Sequence, residues 1–257
     1  LLETRWDGMP IIFLARHGPG HLLNPSRVPY RANIFALKQL GCTHILASGA
    51  VGSLREDYRP CDLVILDQII DKTRRPATFY EHAAVHVAFA EPFCPVLRGV
   101  LIEAGKVLKN KDLNYPSVHP DGCYVAMEGP AFSTRAESRM HQLWGGHVIG
   151  MTLMPEAKLA REAELAYAAV ALVNDYDCWR PAAAGHAGDP HALLKEIIGN
   201  VQAATHNALQ LLKLTVALMA DRQAELMQAP ALRALELAIW SDKPRISTEE
   251  TRRLRPL

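Results

Sequence analysis

Residues 167–173 have the sequence YAAVALV and are followed directly by Asn174, Asp175, Tyr176 and Asp177. An apolar run of this length with no polar position is typical of a strand that is buried on both faces. The polar residues after it mark the end of that strand. Strands of this kind occupy the middle of parallel sheets covered by helices, so this junction predicts an α/β fold.

Short apolar segments and helical patterns alternate along the rest of the chain. Strands are predicted at residues 10–15, 44–48, 63–66 and 123–127, and helices at 31–40, 155–168 and 193–219. This alternation predicts a single α/β domain, residues 1–247, with a mixed, mostly parallel central sheet flanked by helices. Residues 248–257 are charged and contain proline, and we expect this C-terminal tail to fray.

The composition excludes several classes of protein. The 257 residues carry a net charge of +1, which gives no broad attraction to nucleic acid or to an anionic membrane. The N-terminus lacks a signal-peptide pattern, and the apolar runs are too short to cross a bilayer. Five scattered cysteines without a CxxC pair indicate reduced thiols in a cytoplasmic protein, and no histidine cluster indicates a metal site.

Polar clusters follow several of the predicted strands. They are Arg16-His17, Ser48-Gly49, Met127-Glu128 and the segment from Asp175 to Asp177. In α/β sheets, ligands gather at the carboxyl ends of the strands. The four clusters therefore predict one shared active site.

The first two clusters suit an anion. An arginine fork beside a histidine can bind an oxyanion such as phosphate, although a surface arginine and a capping histidine give the same pattern. Residues 48–53 (SGAVGS) can turn backbone N–H groups toward an anion, but a tight turn between a strand and a helix also explains them.

The remaining candidates suit a purine and its sugar. Asp175 and Asp177 are two residues apart and on an extended chain point to one side, where they can contact a purine's N7 and exocyclic amine. A carboxylic acid beside a carboxylate has a raised pKa and can act as a general acid, while a cation site or a solvated loop is the alternative. Phe132 can stack on a base and Met151 can pack on a sugar, although both residue types occur more often in cores.

Several longer segments together resemble the 5′-methylthioadenosine phosphorylase family, within the trimeric purine nucleoside phosphorylases. The matching segments are LARHG (14–18), YRAN (30–33), GSLR (52–55), DQIID (67–71), HVAFAEPFCP (86–95), MEGPAFSTRAES (127–138), VIGMTLMPEAKLA (148–160) and NDYDCW (174–179). The resemblance runs in register from about residue 13 to about residue 193. It implies phosphorolysis of 5′-methylthioadenosine to adenine and 5-methylthioribose 1-phosphate, with inorganic phosphate as co-substrate and no cofactor.

The resemblance also implies a role for each candidate residue. Phosphate would be bound by Arg16, His17, Thr152 and the segment Ser48, Gly49 and Ala50. Asp175, helped by Asp177, would protonate the leaving base, with Phe132 stacked on the base and Met151 against the ribose. In a homotrimer, His86 would reach the 5′ end of the substrate in a neighbouring subunit. The apolar 5′ pocket would contain Pro190, Leu193 and Leu194.

The sequence departs from the family pattern at several points. Family members open with a strand and a GG[ST]G phosphate loop, and neither precedes Arg16, so we expect this N-terminal strand and loop to be absent from the sequence. Gly49 replaces a hydroxyl residue, Cys61 occupies a turn where glycine is usual, and Gly150 replaces an asparagine of some relatives.

Two other functions remain open on the sequence. A phosphorylase for 6-oxopurines, such as inosine, guanosine or methylthioinosine, usually uses an asparagine to read the base. Asp175 and Asp177 only accept hydrogen bonds unless they are protonated, which favours 6-amino purines. The absent glycine-rich loop instead suggests a nucleoside-binding relative without catalytic activity.

Overall fold

A computed structural model describes residues 1–180 and 190–257. Within the second range it leaves out the side chains of Pro190, Ala192, Leu193 and Leu194. Strands β1 (Leu2–Trp6) and β2 (Met9–Phe13) form an antiparallel hairpin. The central sheet contains β3 (His44–Ser53), β4 (Leu63–Ile65), β5 (Gln68–Asp71), β6 (Val118–His119), β7 (Cys123–Ala126), β8 (Val148–Gly150) and β9 (Ala166–Tyr176).

The seven strands of the sheet lie in the order β5-β7-β8-β3-β9-β4-β6. The pairs β3–β9, β4–β6, β5–β7 and β7–β8 are parallel, whereas β3–β8 and β4–β9 are antiparallel. The predicted mixed, mostly parallel sheet is therefore confirmed. The pair β3–β9 runs from His44 opposite Ala166 to Ser53 opposite Tyr176, with an irregularity between Val51 and Gly52.

Helices cover both faces of this sheet. They are α1 (Tyr30–Gln39), α2 (Pro95–Lys111), α3 (Arg135–Leu143), α4 (Glu156–Glu162), α5 (Pro190–Ala220), α6 (Gln223–Leu226) and α7 (Thr248–Arg253). Alternate residues of β9 enter two different cores. Tyr167, Ala169, Ala171 and Val173 pack with residues of α1 and α4, whereas Ala166, Ala168, Val170 and Leu172 pack with residues of α2 and α5. This period of two explains why residues 167–173 are continuously apolar.

Three of the predicted elements differ from the structure. The sequence predicts a strand of the main sheet at residues 10–15, but β2 pairs with β1 in the separate hairpin. It predicts a loop at residues 49–53, but they continue β3, because they remain paired with β9 up to Ser53. The helix predicted over 155–168 ends at Glu162, and Glu164 then takes a left-handed φ of 52° before β9 begins.

The segment after residue 247 is ordered rather than frayed. The Ser247 hydroxyl accepts a hydrogen bond from the Glu250 N–H and caps α7. Glu250 is buried and accepts hydrogen bonds from Arg253, whose guanidinium also donates to the Phe79 carbonyl. These bonds hold the C-terminal segment against the domain.

Among the helices that the structure describes, none combines the length and the hydropathy that a membrane span requires.

Candidate active site

Strand β3 brings most of the predicted site residues together. Near its middle, the Arg16 Nη1 donates to the Ser48 carbonyl at 2.8 Å. One residue further on, a Cβ added to Gly49 would lie 3.5 Å from the Thr152 hydroxyl. At Gly52, an added Cβ would lie 3.1 Å from Asp175 Oδ1 and 3.3 Å from Asp177 Cβ. The anion candidates therefore lie around Ser48 and Gly49, and the two carboxylates lie beside Gly52.

Arg16 forms a buried ion pair with Glu156. Its Nε and Nη2 donate to the two carboxylate oxygens at 2.9 and 2.8 Å, and Tyr167 donates its hydroxyl to the same carboxylate. Burial by itself would lower the pKa of Arg16, but the Glu156 carboxylate raises it above its usual value. Arg16 is therefore held as a cation, and among the described residues one N–H on Nη1 and one on Nη2 have no partner and can bind an anion.

His17 is oriented by a backbone carbonyl. Its Nδ1 lies 2.7 Å from the Leu23 carbonyl oxygen, and its ring stacks on His21 at 4.1 Å. Because a carbonyl oxygen can only accept, the proton lies on Nδ1. Nε2 can then donate to phosphate only when the ring is an imidazolium.

The two aspartates at the end of β9 differ in their surroundings. Burial and the neighbouring Asp177 charge raise the pKa of Asp175 from 3.8 to about 6. The Oδ2 atom of Asp177 is buried and has no hydrogen-bond partner among the described residues. Asp175 can thus carry a proton near neutral pH. Asp177 Oδ2 is an acceptor that no described residue uses.

Met151 is supported by Arg75, a residue that the sequence analysis did not identify. The Arg75 Nη1 donates to the carbonyls of Met151 and Met154 at 2.7 and 2.9 Å and to the Tyr30 hydroxyl at 2.9 Å. Its Nε and Nη2 bind Glu128. Arg75 therefore fixes the position of the Met151 backbone and ties it to the loop after β7.

That loop also carries Phe132, whose side chain is 85% exposed. The ring is free to cover a base that binds beside it, but it makes no ring contact among the described residues. The predicted stacking role of Phe132 stays a prediction.

The candidates for the 5′ end are His86 and three residues of α5. His86 is exposed and stacks edge-on against Trp240, and its N–H donates to the Ala238 carbonyl. Its predicted reach into a neighbouring subunit stays a prediction. Pro190, Leu193 and Leu194 belong to α5, but their side chains lie outside the described residues.

Sequence reasoning missed Arg75 and Glu156, and it placed Glu128 in a polar cluster of the predicted site without giving it a role. Glu156 follows Pro155 at a predicted helix start, which suggested only an interaction with the helix dipole. Glu128 lies in the segment MEGP, but nothing local to the sequence indicates its arginine partner. A buried ion pair between residues 140 positions apart gives no signal in one sequence.

A cavity of about 650 Å³ lies next to the anion end of the site. Its walls come from β2, β3, α1 and α5, and they include Arg16, Ser48 and Glu156 but neither Asp175 nor Asp177. From His44 to Val51, β3 pairs with β9 and with no second strand among the described residues, and residues 44–50 of β3 line this cavity. The cavity is therefore separate from the base end of the site.

The described part of the chain contains no cluster of possible metal ligands. Residues 1–180 and 190–257 contain no group of three or more His, Cys, Asp or Glu side chains that could hold a metal ion.

The comparisons with known proteins agree with this geometry. The family model described as the phosphorylase superfamily matches residues 4–217. The S-methyl-5'-thioadenosine phosphorylase of Thermosynechococcus vestitus is 51% identical over 213 residues, which cover 81% of this chain and 70% of that protein. The enzyme of the same name from Synechocystis sp. is 47% identical over 234 residues, covering 90% of this chain and 68% of that protein.

Solved structures show the same likeness. A methylthioadenosine phosphorylase from an antarctic soil metagenomic library is 44% identical, with a TM-score of 0.88 over 99% of this chain and 85% of that one. A variant of the adenosine/methylthioadenosine phosphorylase from Schistosoma mansoni, in complex with methylthioadenosine, is 36% identical with a TM-score of 0.81. That match covers 93% of this chain and 86% of the other. The chain therefore belongs to the phosphorylase superfamily and, within it, to the S-methyl-5'-thioadenosine phosphorylases.

Proposed function

We propose that this protein cleaves 5′-methylthioadenosine with inorganic phosphate, giving adenine and 5-methylthioribose 1-phosphate. The observation that carries the proposal is the half-buried pair of Asp175 and Asp177 beside Gly52, in which the pKa of Asp175 is raised to about 6. Purine departure needs a proton donor at the base, and a carboxyl group with a raised pKa can supply it near neutral pH. Relatives of about 50% identity that are named for this reaction support the assignment.

At the base end, protonated Asp175 donates to N7 of the purine as the glycosidic bond breaks. A carboxylate oxygen of Asp177 accepts from the 6-amino group. Phe132 stacks on the base, and Met151 packs against the ribose from a backbone held by Arg75.

At the anion end, phosphate binds to His17 and to the two N–H groups of Arg16 that no described residue uses. The other phosphate contacts come from the Thr152 hydroxyl and the backbone of Ser48, Gly49 and Ala50. Because Gly49 has no side chain, the Thr152 hydroxyl has open space on that side of β3. This arrangement would place the phosphate on the sugar side of the site, from which it attacks C1′ as the base leaves.

The 5′ end of the substrate is part of the same proposal. Pro190, Leu193 and Leu194 form an apolar pocket that suits a methylthio group. His86 of one subunit reaches the site of another in a homotrimer, so that assembly completes the site. Trp240 and Leu237 are 73% and 88% exposed near His86, which supports an intersubunit surface there.

The reaction needs phosphate as co-substrate and, in this proposal, no cofactor. Neither nucleic acid nor a membrane is a partner, and the enzyme works in the cytoplasm. The five cysteines are all free thiols, which supports a reducing compartment.

A phosphorylase for 6-oxopurines is not favoured. A 6-oxo group needs a donor, whereas a carboxylate at Asp177 offers only acceptors. Relatives solved with adenine or methylthioadenosine support the 6-amino assignment.

The direct test measures base release from methylthioadenosine, adenosine and inosine, each with and without phosphate. We expect phosphate-dependent adenine release that is fastest from methylthioadenosine. Faster release of hypoxanthine from inosine would assign the protein to 6-oxopurines. Binding of the nucleosides without any release would make it a binding protein.

A further inference from the structure

The inner face of α3 carries two buried polar side chains behind the base end of the site. Ser138 and His141 are one helical turn apart on the same face, with exposed fractions of 0% and 1%. The next residue, Gln142, donates to the Leu54 carbonyl at 2.8 Å and thereby holds α3 against the end of β3. Neither side chain has a role in the mechanism described above.

Lys72 fixes the tautomer of His141. The Lys72 Nζ lies 2.9 Å from His141 Nε2, and it also lies over the Trp144 ring. An ammonium group can only donate, so Nε2 accepts and Nδ1 carries the proton. Burial, and then the Lys72 charge, lower the pKa of His141, which keeps the ring neutral. The result is a single N–H donor that is buried and has no partner among the described residues.

Asp177 offers the complementary acceptor in the same region. Its Oδ2 is buried without a partner among the described residues, and its Cβ lies near Gly52. The next residue, Cys178, donates its thiol to the Ser133 carbonyl, two residues before α3 begins, which ties this segment to the helix. Asp177 is also within electrostatic reach of His141. The other carboxylate in reach is Glu137, which is engaged in capping α3 at Thr134.

We propose that His141 is a positioning residue for Asp177. Its Nδ1–H, oriented by Lys72, bonds Asp177 Oδ2 through one bridging water and leaves Oδ1 for the purine. The Ser138 hydroxyl, on the same face and without a partner among the described residues, is a second donor to this network. The inference rests on the proposed function, because Asp177 reads a base only in that reaction.

The physical benefit is preorganisation. A carboxylate held by a buried donor stays ionised and keeps one orientation, so its second oxygen meets the base without reorganisation. A misplacement of about 1 Å in such a group can cost about a hundredfold in rate.

Two amide replacements separate positioning from packing. In His141→Asn the amide nitrogen lies near the position of Nδ1 and can still donate to Asp177. In His141→Gln the amide lies near Nε2, where its oxygen accepts from Lys72 and no donor remains at the position of Nδ1. In His141→Phe neither hydrogen-bonding group remains. We expect His141→Asn to keep kcat/KM for methylthioadenosine within about threefold of the wild type. The Gln and Phe variants should lose about ten- to a hundredfold, with the KM for phosphate unchanged.

Equal losses in the Asn, Gln and Phe variants would overturn the proposal, as would a matching rise in the KM for phosphate. Thermal unfolding of each variant shows whether it folds. If His141→Phe does not fold, kcat/KM of His141→Asn and His141→Gln can still be compared, and this comparison tests the proposal.

A second readout does not depend on activity. In wild-type protein labelled with ¹⁵N-histidine, the His141 signals, assigned by their loss in His141→Asn, should show a proton on Nδ1. Asp177→Asn should shift that Nδ1 signal. A proton on Nε2, or a signal that is indifferent to Asp177→Asn, would overturn the proposal. If the wild-type protein shows no phosphorolysis, the proposed function is refuted. The contact between His141 and Asp177 is then tested by the ¹⁵N-histidine spectrum alone.

Discussion

Replacing Asp175 with asparagine should stabilise the protein and largely inactivate it. The folded protein holds this carboxyl at a pKa of about 6, against an ordinary 3.8, because the group is buried and lies beside Asp177. At about 1.4 kcal/mol for each pH unit, this difference corresponds to about 3 kcal/mol. Partial solvent access makes about 2–3 kcal/mol the expected size of the effect.

The sign of the effect follows from proton binding. Between about pH 4 and pH 6 the unfolded chain has lost the Asp175 proton while the folded chain retains it. The wild type therefore loses stability as pH rises through this window, and the loss is complete above about pH 6. The asparagine side chain of the variant is neutral throughout, so Asp175→Asn should match the wild type near pH 4 and exceed it by about 2–3 kcal/mol at about pH 7.5.

Urea unfolding at several pH values from about 4 to about 8, followed by circular dichroism, measures the difference. Asp177→Asn is the matched control, because it removes the neighbouring charge but leaves Asp175 buried, so it should recover only part of the stability. In parallel, kcat/KM of Asp175→Asn should fall by about 10²–10⁴-fold, the usual range for a lost general acid. A stability difference that is the same at both ends of this pH range, or a variant with wild-type kinetics, would refute the reasoning.

Three further substitutions test the supporting structure. Glu156→Ala should lower the free energy of unfolding by about 3–5 kcal/mol, because it leaves the Arg16 charge without its partner. Urea unfolding measures this loss, and a loss below about 1 kcal/mol would show that the ion pair contributes little to stability. Arg75→Lys should reduce kcat/KM by about ten- to a hundredfold in steady-state assays, because an ammonium cannot bind several carbonyls and a carboxylate together. Unchanged kinetics would show that Arg75 does not support the site. Cys61→Gly should raise the free energy of unfolding by about 1 kcal/mol, because Cys61 has a φ of 74°; a less stable variant would show that the contact of Cys61 with Asn200 outweighs the strain.

Much of the sheet could be predicted from local pattern. Residues 167–173 are apolar at every position because β9 enters one core with its odd-numbered residues and the other core with its even-numbered ones. Where prediction failed, tertiary contacts overrode local preference. Residues 166–168 favour a helix by composition but form the start of β9, and residues 49–53 resemble a loop but remain in β3 because β9 pairs with them.

Sequence reasoning named the charged groups of the candidate site but not their partners. Strand ends pointed to Arg16 and Asp175, and the structure places both along β3. The sequence could not show that Glu156 occupies most of the Arg16 fork, or that Arg75 holds the Met151 backbone, because these contacts join distant parts of the chain.

In the proposed reaction phosphate, rather than water, forms the new bond to C1′ of the sugar as adenine leaves. The most direct measurement incubates the protein with methylthioadenosine and ³²P-labelled phosphate and counts adenine and labelled sugar phosphate together. We expect one 5-methylthioribose 1-phosphate for each adenine and no adenine without phosphate. Adenine released with unlabelled free methylthioribose, or at the same rate without phosphate, would contradict it.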